Sequence, residues 1–328
     1  MNKPEKVVWT EGMFLRPHHF QSAESFLHSH IREWGMLQRP WLWGFLEYEL
    51  DEALLKQGSV ALNRASGLLP DGTWFSFSSA SQGPAPLTIE ENITNEKIVL
   101  ALPVRRGHRE PLLFSEEKES LARYIAFEQD VEDNNALSLG EATLQFARLR
   151  MRLMPERELS AEWTAIGLVR VVEKRNDNQL SLDSNYIPPM LNAVNSPPLI
   201  SMANDLCSLL SQRTEQLGQR LQQPGRFNTS EMVDFMLLAL INRHSALTGH
   251  LKAQPLLHPE TLWREWLAFA SEVSTWSGER RPTAPLPDYE HDNLSQCFSR
   301  LTFLLRHSLS LVMEDSAVQL PLTQRTHN

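Results

Sequence analysis

The chain has 328 residues, with 31 Lys and Arg against 40 Asp and Glu and therefore a formal charge of −9 with histidine neutral. That balance argues against a nucleic-acid surface, because proteins that neutralise phosphate backbones concentrate cations. At 41% hydrophobic and 22% charged residues the composition is that of an ordinary globular protein, long enough for two domains. The two cysteines, Cys207 and Cys297, stand in no CxxC or Cys/His ligand spacing, which excludes a disulfide scaffold and a structural zinc site.

No address label or membrane span is visible. The longest apolar run, 235–241, is bounded by Asp234 and Asn242 and falls well short of the roughly 20 apolar residues a membrane-spanning helix requires. A cytoplasmic protein without direct membrane insertion is expected.

In chain order, one early helix is predicted over 22–34. Short apolar runs separated by Gly, Pro, Asn and Asp then predict strands at 59–64, 73–77, 97–104, 124–131, 144–154, 164–172 and 179–182. Pro70-Asp71-Gly72 between two apolar pairs is a turn, since proline presets one dihedral and glycine accepts positive φ. From Gln145 to Leu153 the alternation is clean. Phe146, Arg148, Arg150 and Arg152 share the side expected to be wet, and Ala147, Leu149, Met151 and Leu153 share the other. Strands and turns spaced in this way imply a sandwich of antiparallel sheets.

A proline-rich seam at 187–189 and 196–198 separates this half from a helical one. Leu199, Ala203, Leu206, Leu210, Leu217 and Leu221 form one stripe, on a helix opened by Ser196 and stopped by Pro224-Gly225. A second helix starts near Asn228 and a third at His258-Pro259. The fourth, capped by Asp292, places Leu294, Cys297, Leu301, Leu304, Ser308 and Leu311 at alternating steps of three and four, the spacing of a coiled-coil seam. The fold class is therefore α+β and multidomain: an N-terminal β-sandwich followed by a four-helix bundle. The surplus apolar surface of the bundle implies self-association, through Leu206, Leu210, Leu294, Leu301, Leu304 and Leu311.

Catalytic motifs are lacking. There is no GxGxxG, GxxxxGK[ST], HExxH, GxSxG or EF-hand loop. His18, His19, His28 and His30 have the wrong spacing to share a metal from one helix face and read as surface or interface histidines. Acidic pairs such as Glu116-Glu117 read as solvated surface. The three arginines are expected to pair with carboxylates on a neighbouring strand or a partner. No catalytic residue, cofactor or metal is expected, and a hydrolase built on His18 or His19 is the weaker alternative.

What the sequence leaves unexplained is apolar material in the first fifty residues, including Trp9, Met13, Phe14, Leu15 and Phe20 and then Trp34, Trp41, Trp43 and Phe45. Such residues anchor interfaces as well as cores. The segment Trp9-Thr10-Glu11-Gly12-Met13-Phe14-Leu15-Arg16-Pro17-His18-His19-Phe20-Gln21 resembles the N-terminal signature of the TssK (ImpJ, VasE) family of type VI secretion baseplate proteins. In order behind it stand Leu69-Pro70-Asp71-Gly72-Thr73, Ala101-Leu102-Pro103-Val104, Ala147-Arg148-Leu149-Arg150-Met151-Arg152-Leu153, Leu182-Asp183-Ser184-Asn185-Tyr186-Ile187-Pro188-Pro189, His258-Pro259 and Pro287-Asp288-Tyr289-Glu290-His291-Asp292-Asn293-Leu294.

The resemblance implies a non-enzymatic homotrimeric adaptor at the inner-membrane-associated baseplate. It implies a shoulder domain over 1–189 akin to phage receptor-binding proteins, which grips the TssF/TssG wedge. It implies a trimerising neck over 190–315, and at 316–328 the start of a linker to a head that reaches TssJ, TssL and TssM, the rest of that head being absent. On this basis Trp9, Met13, Phe14, Leu15 and Phe20 are the expected wedge contacts. A phage-tail-like receptor-binding structural protein is the nearer rival.

Overall fold

A computed structural model describes residues 4–91, 93–107, 110–117, 119–133, 135, 140–222, 229–276, 279–282 and 285–314, and the side chains of 229, 230 and 311–314 lie outside that description. The Pro224-Gly225 stop, the helix start at Asn228 and the segment 316–328 also lie outside the described residues. The chain divides into two compact units, Met1–Asp183 and Ser184–Asn328.

The first unit opens with helix α1 (Pro17–Gln38), longer at both ends than its apolar spacing predicts. Pro17 sits at the first helical position, where a missing N–H costs nothing. The His19 ring caps the end, its Nδ1 accepting the Arg16 N–H at 3.0 Å. Strands β1 (Gly44–Leu50), β3 (Leu62–Leu68) and β4 (Trp74–Phe77) make one antiparallel sheet in the order β1-β3-β4. Between the first two lies a one-turn helix, α2 (Glu52–Lys56), capped by Asp51 Oδ1 on two backbone N–H groups. The predicted turn joins β3 to β4. Gly72, at φ +79, donates its N–H to the Leu69 carbonyl at 2.8 Å.

A second sheet runs β10 (Arg152–Pro155), β6 (Thr94–Pro103), β11 (Trp163–Lys174), β12 (Leu180–Leu182), antiparallel throughout. Residues Ile98 to Leu102 of β6 are buried without interruption, so this central strand is covered on both faces, and β11 beside it buries Ile166, Leu168 and Val171. A two-stranded pair joins β2 (Ser59–Val60) to β5 (Leu87–Thr88). The remaining sheet is β7 (Leu112–Leu113), β8 (Tyr124–Glu132) and β9 (Glu141–Leu149), in which the short β7–β8 contact is parallel.

The alternation at 145–153 predicts one strand, but the chain forms two in different sheets. The break falls at Arg150, whose N–H donates to the Arg123 carbonyl at 2.9 Å. Arg150 is buried, which corrects the expectation of a wet arginine face. Its guanidinium fills its donors with Glu116 and the carbonyls of Glu117, Ser120 and Ala122 at 2.5–3.2 Å. A buried charge needs that full complement of partners. Arg148 and Arg152 instead lie over the rings of Phe127 and Trp163, 4.6 and 5.5 Å from the centroids.

The second unit is the predicted bundle: α3 (Pro197–Leu221), α4 (Thr229–Lys252), α5 (Pro259–Val273) and α6 (Leu294–Glu314), with α3 packed on α4 and α6, and α5 on α4 and α6. The α3 stripe Leu199, Ala203, Leu206, Leu210 and Leu217 is buried. From α5 and α6, Trp266 and Phe298 meet edge to face at 5.7 Å in the middle of the core. His258 caps α5 as its position before Pro259 predicts, its Nδ1 accepting the Glu260 N–H at 3.1 Å.

Candidate protein-docking surfaces

The opening segment reaches α1 through a tight turn, the Met13 N–H donating to the Thr10 carbonyl at 3.3 Å. Trp9 leans on the His19 and Phe20 rings, with centroids 6.3 and 6.2 Å away, so the segment folds back over the helix start. This self-packing leaves most of the apolar surface open. Trp9, Phe14, Leu15 and Phe20 are 52–81% exposed, and Met13 is half-buried.

Helix α1 continues that surface. Not one of its 22 residues is buried. Phe20, Ala23, Leu27, His30, Trp34 and Leu37 advance by alternating threes and fours with Ile31 beside them, which is the seam of a helix that packs lengthwise. Phe20, Leu27, Ile31, Trp34 and Leu37 are all exposed. Sequence reasoning did not extract this seam, although the spacing was there, because it reads as readily as a core-facing stripe.

Helix α1 touches its own unit at Arg32. The aliphatic stem of Arg32 covers Gly72, where an added Cβ would come within 2.5 Å of it. The neighbouring Asp71 carboxylate pairs at 2.8 Å with Arg123, itself buried and donating to the Pro103 carbonyl. Of the other early aromatics, Phe45 is fully buried against Phe75, while Trp41 and Trp43 are half-buried.

The residues expected to carry self-association are placed differently. Leu206, Leu210, Leu294 and Leu301 are buried within one chain's bundle, Leu304 is half-buried, and the Leu311 side chain lies outside the described residues. Among the described residues, the large apolar side chains the second unit leaves open are Met232, Val233, Phe235, Met236 and Leu247 of α4, Leu256 after it and Phe303 of α6.

Ionisable clusters do not make a reaction centre. His19 uses its Nδ1 in the helix cap, and among the described residues no group of three His, Cys, Asp or Glu is placed to hold a metal. A partly enclosed cluster lies in the bundle, where His244 of α4 stacks on Phe269 at 4.4 Å. Its ring nitrogens face Glu265 at 2.8 Å and Glu272 at 3.3 Å, with Arg243 against Glu272. Burial lowers the His244 pKa, and the Glu265 hydrogen bond opposes it only in part. The cluster clamps α4 to α5 and presents no nucleophile. In the first unit, the Arg150 hydrogen bond holds the Glu116 carboxyl below its ordinary value. Among the described residues no helix is long and apolar enough to cross a membrane.

Small sheets, a closed bundle and broad open apolar faces define a structural docking protein. The family of bacterial type VI secretion proteins described by VC_A0110, EvfL, ImpJ and VasE matches residues 19–328, and the chain belongs to it. Along its whole length it is 40% identical to the type VI secretion system baseplate component TssK1 of Pseudomonas aeruginosa, covering 74% of that protein. A crystal structure of TssK superposes with a TM-score of 0.92 at 56% identity, over 99% of this chain and 73% of the other. The fold also matches a chain of a TssK–TssF–TssG baseplate subcomplex, with a TM-score of 0.83 at 24% identity over 94% of this chain and all of the other.

Proposed function

We propose that this chain is a structural adaptor of the type VI secretion baseplate, a homotrimer that joins the TssF/TssG wedge to the inner-membrane complex of TssL, TssM and TssJ from the cytoplasmic side. The observation that carries the reading is the open apolar surface running from Trp9 along α1 to Leu37. Exposed apolar area on this scale is what an obligate partner covers. Full-length identity to a baseplate component supports the same role.

Within that role, the first unit acts as the wedge-binding shoulder. Trp9, Phe14, Leu15 and Phe20 are its anchors and Met13 lends support. The second unit acts as the trimerising neck. Because Leu206, Leu210, Leu294 and Leu301 are filled within one chain, the contact between copies falls to Met232, Phe235, Met236 and Phe303, with Leu304 at its margin. The membrane-complex side is proposed from the family resemblance alone and is assigned to no residue of this chain.

The test is co-purification with TssF and TssG. A chain carrying Trp9→Ala and Phe14→Ala should lose the wedge while sedimenting as the unaltered chain does. One carrying Met232→Asp and Phe235→Asp should sediment as a smaller species. Full wedge recovery by the first variant would remove the N-terminal assignment.

A further inference from the structure

Strands β8 and β9 extend well beyond β7, which pairs only with Tyr124 and Ile125, so 126–132 and 141–147 form a two-stranded ribbon with β9 as its outer strand. Every residue of β9 from Glu141 to Ala147 is exposed. Period-two alternation gives the ribbon two unlike faces. One carries Phe127 against Phe146, with ring centroids 5.8 Å apart, and Leu144 and Val131 beyond them. Leu144 and Phe146 remain 47% and 39% exposed.

The opposite face is acidic. Glu128 and Asp130 lie on it, hydrogen-bonded across the ribbon to Gln145 and Thr143. Beside them Glu132 stands directly opposite Glu141. Like charges in directly opposed positions destabilise a strand pair, and among the described residues no cation pairs with any of these four carboxylates. Among the described residues no strand pairs with the outer edge of β9, and apart from the charges of Glu141 and Arg148 it carries none of the devices that blunt natural edges, neither lysine nor proline nor a bulge in its register with β8.

We infer that the β9 edge takes up an extended segment of a partner protein in which apolar side chains alternate with basic ones. An added strand would complete the open backbone ladder, extend the Phe127–Phe146–Leu144 face with its apolar side chains, and on the other face bring a cation beside Glu141, with Glu132 one strand further in. A second copy of this chain is the poorer occupant. Pairing β9 with β9 about a two-fold axis keeps the faces in common and sets four carboxylates beside four. This surface is separate from the N-terminal anchors, so Trp9→Ala with Phe14→Ala leaves it intact, and the two assignments fail independently.

Fluorescence anisotropy on the full chain with three synthetic nonapeptides tests the inference. The first alternates valine with lysine, the second alternates valine with glutamate, and the third has the first's composition with its valines and lysines in separate blocks. The alternating lysine peptide should bind at least about tenfold more tightly than either of the others. Leu144→Asp with Phe146→Asp should abolish that binding, and Glu132→Lys with Glu141→Lys should invert the preference between lysine and glutamate peptides. Both pairs are exposed, so thermal melting should stay at the unaltered value. Equal binding of all three peptides, binding that survives the Leu144→Asp/Phe146→Asp change, or a concentration-dependent dimer that this change dissolves would each overturn the inference.

Discussion

Helices α1 and α5 carry apolar side chains at similar spacing and use them in opposite ways. In α5, Leu262, Trp263, Trp266, Phe269, Ala270 and Val273 are buried against neighbouring helices of the same chain. In α1, Phe20, Leu27, Ile31, Trp34 and Leu37 meet solvent. The difference teaches that helical periodicity declares a face that must be covered without declaring who covers it. Desolvation is non-directional, and a partner's surface satisfies it as well as the chain's own.

Substitution at one tryptophan of each helix should break or sharpen that contrast most strongly. Trp266→Ala should lower the stability of the second unit by about 3–5 kcal/mol in urea unfolding, because it empties the centre of a packed core. Trp34→Ala should stay within about 0.5 kcal/mol in the same measurement. A comparable loss from both would mean that α1 is core after all. A smaller effect of the same kind separates two arginines of the first unit. Arg150→Ala should cost about 3 kcal/mol, since it strands Glu116 and three backbone carbonyls. Arg148→Ala, half-buried over the Phe127 ring, should cost less than about 1 kcal/mol.

Titration gives the next smaller signal. The His244 pKa is depressed below 6.5 in the folded chain, mainly by burial. The unfolded chain therefore takes up the proton first as pH falls. The stabilising contribution is complete above pH 6.5 and is lost as pH falls through the lower folded-state value. The melting temperature of the second unit should drop across that window, and His244→Gln should flatten the slope. A slope unchanged in the variant would place the pH dependence elsewhere. The smallest effect is chemical. Cys297 is buried and its thiol is pushed up to about 11 by that burial, whereas Cys207 is half-buried. Cys207 should alkylate first in the native chain, and Cys297 should react only on unfolding. Mass spectrometry of the labelled peptides reads the order.

Much of the architecture was legible because it is local. Pro70-Asp71-Gly72 makes the turn its residues predict, and His258-Pro259 opens α5. The strand readings at 73–77, 97–104, 124–131 and 164–172 fall within three residues of β4, β6, β8 and β11 at every end. The misses have physical causes. Strand β1 was overlooked because Glu47 and Glu49 interrupt its apolar residues, and both carboxylates pair with Arg64 of β3, a contact no local pattern announces. The arginine face was misread because alternation fixes which residues share a side but not which side is wet. Arg150 becomes buried only when the 116–122 loop supplies its acceptors.

The sequence by itself settled the change from strands to helices, the main turns and helix starts, and the family resemblance, since turn chemistry, caps and side-chain period act over a few residues. Only the tertiary structure decided which apolar faces were closed from within. It filled the leucine seam of the bundle, left α1 and the β9 edge open, and split one alternating run between two sheets. Burial and strand pairing depend on residues far apart in the chain, so no window of sequence contains them.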